Sequence, residues 1–68
     1  MIAVQSSNLA SVGYNPWTGD LEIEFHGGRV YVYFGVPFAV YLGLMGADSL
    51  GGYFAANIRD QYQFRTVR

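Results

Sequence analysis

Glu22 and Glu24 sit two residues apart in "DLEIEF", and His26, the chain's only imidazole, follows at once. Two carboxylates in unequal surroundings can divide acid and base roles. An imidazole beside them could shuttle a proton or hold a metal. The same alternation, however, is what any strand with one wet face shows. With one His, no Cys and no ligand spacing among the five carboxylates, nothing in the sequence points to a metal or other cofactor. Nucleophilic chemistry has as little support. Ser6, Ser7, Ser11 and Ser49 lack a nucleophile-elbow context, and a chain without lysine has no Schiff-base amine. An enzyme remains conceivable only as an oligomer with a shared site, so the expectation is a protein without catalytic activity.

Binding chemistry is better represented. In "SLGGYF", Ser49 followed by Gly51 and Gly52 at a helix start would leave backbone N–H groups open to an anion. The competing reading is that the two glycines let the helix approach the sheet closely, with Tyr53 free to pack or stack. All four basic residues, Arg29, Arg59, Arg65 and Arg68, are arginine, which favours bidentate or stacking contacts over diffuse attraction. Tyr31 and Tyr33 alternate in "RVYVYFGVP". They can lie under the protein's own helices, form a protein interface, or stack on bases. The sequence favours self-association, because exposed rings beside Glu22 and Glu24 repel a phosphate backbone yet suit a protein partner.

A chain of 68 residues is near the size at which one core barely offsets chain entropy. No cysteine is present to add a disulfide or thiolate site, and a reducing cytoplasm is allowed. One Trp, six Tyr and five Phe supply more apolar area than so small a globule easily hides, which points to a homo-oligomer. A net charge of −1 argues against a basic grip on long nucleic acid. No apolar run reaches membrane-spanning length and "MIAVQSSNLA" has no basic n-region, so the expected location is the cytoplasm, that of a host if the gene is viral.

These residues must be positioned by short strands and helices. "LASVGYN" places Ala10, Val12 and Tyr14 on one face, and "NPWTGD" is a turn. "DLEIEF" alternates Leu21, Ile23 and Phe25 with the glutamates. Gly27-Gly28 then suits a two-residue hairpin loop, which would pair Phe25 with Val30, Ile23 with Val32 and Leu21 with Phe34. In that register Val30, Val32 and Phe34 take the core, while Tyr31 and Tyr33 lie opposite Glu24 and Glu22 on the reverse face, beside His26 and Arg29. Pro37 suits the first position of a helix whose apolar spacing runs through Phe38, Tyr41, Leu42 and Met45 and which Gly46 ends. A second helix within residues 47–60 is capped by Asp48 or Ser49 and buries Phe54 and Ile58. "QYQFRTVR" reads as a last short strand or an arm. The expected fold is α+β: an antiparallel β-meander of three to four strands, then two short helices and a short C-terminal strand or arm, in one domain over residues 1–68.

Taken in order, Ser6-Ser7, "VGY" at 12–14, "LEIEF" at 21–25, Tyr31 and Tyr33, "GVP" at 35–37, "SLGGYF" at 49–54 and "NIR" at 57–59 resemble the KTSC domain. That family is named for a segment at the end of some lysyl-tRNA synthetases and is also seen as small bacterial and phage proteins. The resemblance implies an RNA-binding context, whereas the acidic, lysine-free composition favours something smaller. The functional expectation is therefore a homo-oligomer that takes a small anionic nucleotide into pockets built between subunits, at Arg29, Tyr31, Tyr33, Ser49, Gly51, Gly52, Tyr53, Asn57 and Arg59. In a phage, such a protein could sequester a cyclic nucleotide immune signal. An RNA-binding module and a protein-interaction adaptor are the alternatives.

Overall fold

The computed structural model describes residues 1–68. Strands β1 (Ile2–Ala3), β2 (Leu9–Asn15), β3 (Asp20–Phe25) and β4 (Val30–Tyr33) form an antiparallel meander, followed by helices α1 (Phe38–Met45) and α2 (Leu50–Asn57) and strand β5 (Phe64–Thr66). The strands lie in the order β1-β2-β3-β4-β5. The α+β class is therefore as expected, and the C-terminal segment is a strand of the chain's own sheet, pairing Tyr33 with Phe64 and Tyr31 with Thr66. Neither helix is long and apolar enough to cross a membrane.

Both helices cover one face of the sheet. Leu44 of α1, Phe54 of α2 and Ile58 at the end of α2 pack on Leu9, Val12, Leu21, Ile23, Tyr33 and Val36. The membership of Tyr33 in this core overturns the expected hairpin register. The observed pairs are Leu21 with Tyr33, Glu22 with Val32, Ile23 with Tyr31 and Glu24 with Val30. The loop holds three residues, not two. Phe25 pairs with Arg29 through an N–H···O bond of 2.8 Å, and the Gly28 N–H closes a turn on the Phe25 carbonyl at 3.1 Å. Positive φ at both Gly27 (102°) and Gly28 (95°) makes room for the extra residue. One residue of slip exchanges the faces. Tyr31 and Tyr33 point under the helices, and Val30 and Val32 point to the open side.

The two valines are nevertheless buried there. Val32 lies between Glu22 and Arg65 on the neighbouring strands, and Val30 beside Glu24. An Arg68 Nη2 reaches the Glu24 carboxylate at 3.4 Å, so long polar side chains shelter the apolar ones. Glu24 also accepts a bond from the Ser11 hydroxyl at 2.7 Å, which occupies the carboxylate considered for acid or base chemistry.

Two further details differ from expectation. A bulge between Leu9 and Ser11 brings Leu9, not Ala10, onto the core face with Val12 and Tyr14. In α1 the buried residue is Leu44, while Phe38 and Leu42 stay about half exposed. Pro37 caps this helix from outside, with its carbonyl accepting the Val40 and Tyr41 N–H groups.

Candidate functional site

The slip in register builds a cleft inside one chain. It is lined by Ser7 and Asn8 ahead of β2, by Phe25, His26 and Arg29 at the hairpin tip, and by Tyr31 and Tyr33 of β4. Gly51, Phe54 and Ala55 of α2, then Arg59 and Asp60 beyond it and Phe64 of β5, complete a space of about 560 Å³. That volume falls in the range of small-molecule sites.

Its walls are aromatic. Tyr31 stacks on Phe64 with centroids 5.3 Å apart and planes at 15°, and meets Phe25 edge-on at 5.5 Å. Tyr33 meets Phe54 edge-on at 5.4 Å. Such T-shaped and offset contacts fix ring orientation as well as burying area. The rim near Asn8 is held by local bonds: the Ser6 hydroxyl accepts the Asn8 and Leu9 N–H groups, both at 3.2 Å. His26 Nε2 lies 2.8 Å from the Ser6 carbonyl, and the His26 N–H donates to the Asn8 carbonyl at 3.0 Å. The exposed His26 imidazole is a brace between the hairpin and the start of β2.

Of the expected ligand-binding residues, Arg29, Tyr31, Tyr33, Gly51 and Arg59 converge on this cleft. Arg59 does so because α2 stops at Asn57 and the backbone departs from helical geometry at Ile58, with φ −123°. A continuous helix would have carried it elsewhere. Ser49, Gly52, Tyr53 and Asn57 do not line the cleft. The Ser49 hydroxyl accepts the Gly52 N–H at 3.1 Å, so that amide is not open to an anion. Tyr53 packs its ring end over Gly43 of α1, where a Cβ would overlap the phenol. Asn57 donates back to the Tyr53 carbonyl at 3.1 Å. Gly51 serves close approach: a Cβ there would come within 3.0 Å of Asn8 Nδ2.

Ser7, Asn8, Phe25, His26, Phe54, Ala55, Asp60 and Phe64 line the cleft without having been expected there as ligand contacts. Phe64 had a signal in its strand alternation. Asn8 and Asp60 had none, since each lies in a segment whose path is set by tertiary contacts.

Arg29 has no ion-pair partner, whereas Arg59 Nε lies 3.9 Å from Asp60 Oδ2. The Tyr33 hydroxyl makes no bond within the chain, and with the residue 1% exposed only an edge of it reaches the cleft wall. Burial, helped by Tyr31 and Asp60 and opposed by Arg59, pushes its pKa up to about 12. The phenol is thus a neutral donor at any ordinary pH. Because folding holds this proton more tightly than the unfolded chain does, the associated stability is complete below about pH 10 and falls away as pH rises to about 12. Urea midpoints measured from pH 9 to 11.5 should decline more steeply for the natural chain than for Tyr33→Phe. Parallel declines would remove Tyr33 as the cause.

A family model described as the KTSC domain matches residues 5–62. An uncharacterized protein of Stutzerimonas stutzeri is 44% identical over 61 residues, covering 90% of this chain and 86% of that one. A lysine–tRNA ligase of a Nostoc species is 34% identical over 67 residues, 98% of this chain but 12% of the ligase. The crystal structure of a KTSC domain protein from Yersinia pestis matches with a TM-score of 0.91 at 36% identity, over 97% of this chain and 93% of that chain.

Proposed function

The chain belongs to the KTSC domain family, and from that premise and the cleft we propose that it is a non-enzymatic protein that binds a small anionic nucleotide. The observation that carries this reading is the meeting of Arg29 and Arg59 with the Tyr31–Phe64 stack in one cleft of ligand size. Aromatic faces suit a base of any identity. Guanidinium groups suit a phosphate, and two of them give recognition without a broadly basic surface. The Asn8 amide and the neutral Tyr33 hydroxyl add directional bonds to a base edge or sugar. A non-enzymatic reading is supported by Glu22 and Glu24, the carboxylates that could have worked with His26, lying outside the cleft lining. A binder with no catalytic set suits sequestration of a free nucleotide, in a cytoplasm.

Homo-oligomer formation stays in the proposal but moves to another surface. Tyr31 and Tyr33 face the protein's own helices, while Trp17, Phe34, Phe38 and Leu42 are among the large exposed apolar side chains free to meet a second copy.

Native mass spectrometry with a nucleotide panel tests both parts. Tyr31→Ala should weaken the best ligand by roughly tenfold or more, the size of a lost base stack, without changing the oligomer. Arg59→Ala should do the same through the phosphate. A protein that retains no nucleotide sinks the reading.

One observation favours a second reading. The matched segment lies within a tRNA ligase of Nostoc, and a cleft for one base and one phosphate would also accept a single unstacked nucleotide of an RNA strand. Oligoribonucleotides binding far more tightly than mononucleotides would select it.

A further inference from the structure

Asp60 is a carboxylate with no structural duty. It makes no hydrogen bond in the chain, its side chain is 80% exposed, and its one ionic contact, with the neighbouring Arg59, is long at 3.9 Å. Yet it lines the cleft, and its charge is felt at the Tyr33 hydroxyl together with that of Arg59. The permanently charged lining is therefore two guanidinium groups and one carboxylate, while His26 Nε2 is engaged at the Ser6 carbonyl. One net positive charge remains.

Resting on the nucleotide reading above, we propose that Asp60 tunes the cleft to a ligand carrying a single negative charge, a nucleoside phosphodiester and not a monoester or triphosphate. A diester leaves one formal charge to share between Arg29 and Arg59. A monoester brings about −1.5 to −2 at neutral pH, and a triphosphate more. The excess must then sit beside the Asp60 carboxylate, and like charges at an exposed site repel modestly but measurably. Arg29, which lacks an acidic partner, is the stronger anchor, and Arg59 with Asp60 forms the discriminating side. The diester can belong to a cyclic mononucleotide or to a linkage within a short strand, because both present the same charge.

Calorimetric titration of the natural chain and of Asp60→Asn separates the possibilities, using adenosine and uridine series. Each series comprises the nucleoside, the 3′,5′-cyclic monophosphate, the 5′-monophosphate, the 5′-triphosphate and the dinucleoside monophosphate. In the natural chain, a diester should bind at least about threefold more tightly than the monoester and about tenfold more tightly than the triphosphate. Asp60→Asn should improve the triphosphate roughly fivefold while leaving the nucleoside unchanged. The cyclic and dinucleoside arms tell the two sources of a diester apart. A triphosphate that matches or exceeds the diesters, or an Asp60→Asn effect equal for all ligands, overturns the role of Asp60 while leaving nucleotide binding intact. Retention of none of these compounds overturns the nucleotide reading and this inference with it.

Discussion

Truncating Tyr33 to alanine is expected to remove about 3–5 kcal/mol of stability, the usual loss when a buried aromatic side chain is deleted. Tyr33 is the largest of the fully buried side chains, 1% exposed, and it joins the sheet to α2 through Phe54 and to β5 through Phe64. A domain of 68 residues holds only about 3–10 kcal/mol in total, so the variant should unfold at or near room temperature. The neighbouring residue supplies the control. Phe34 is 40% exposed at the end of the open face, and Phe34→Ala should cost about 1 kcal/mol or less. The hairpin register expected from a two-residue loop demands the opposite ranking, with Phe34 in the core and Tyr33 outside. Urea denaturation of the two variants therefore tests the register itself. Near-equal midpoints, or a more damaged Phe34→Ala, would contradict the pairing of Tyr33 with Leu21.

That ranking also shows where sequence pattern is informative and where it fails. Element types and order were legible because each has its own periodicity: the two-residue alternation of 20–25, the spacing that buries Phe54 and Ile58, and the capping serine at 49. The family was legible for a different reason, the order and spacing of short segments that are weak singly. The face of β4 was not legible. Val30, Tyr31, Val32 and Tyr33 are all apolar or half-apolar, so composition does not decide which set meets the helices. The decision passes to the loop, where His26-Gly27-Gly28 accommodates either two or three residues. Tertiary packing then selects the register that gives Phe54 an aromatic partner.

The cleft was legible in parts for the same reason. Arg29, Tyr31, Tyr33, Gly51 and Arg59 could be singled out by residue type, but their convergence depends on that register and on α2 ending before Arg59. The "SLGGYF" segment presents Ser49, Gly52 and Tyr53 as ligand contacts on residue type alone. They serve instead to cap α2 and to pack it on α1. A Gly-rich helix start has one appearance in sequence for both uses, and only the position of its neighbours separates them.

The second large effect is expected at Gly19, far along the sheet from the cleft. This residue ends the turn between β2 and β3 at φ +78°, a region that L side chains rarely occupy. An added Cβ would also stand 3.3 Å from Gly35 Cα and from the backbone nitrogen and oxygen of Val36. Backbone atoms cannot rotate aside as a side chain can. The crowded loop is tied on both sides, by the Val36 N–H bonded to the Gly19 carbonyl at 2.9 Å and by the Tyr14 hydroxyl bonded to the Val36 carbonyl at 2.6 Å. It also leads directly into α1. Strain and crowding together should make Gly19→Ala cost about 2–4 kcal/mol, a drop in melting temperature of roughly 10–25 °C for a domain of this size. Gly27→Ala isolates the conformational part, because φ there is +102° but nothing lies within 4 Å of the added carbon, and its cost should be about half as large. No contact of Gly19 belongs to the cleft lining. Ligand affinity measured well below the lowered transition should therefore match that of the natural chain within about twofold. An affinity that fell in step with stability would show that the far turn and the cleft are coupled through α1, and that the cleft is not built independently by the hairpin tip, α2 and β5.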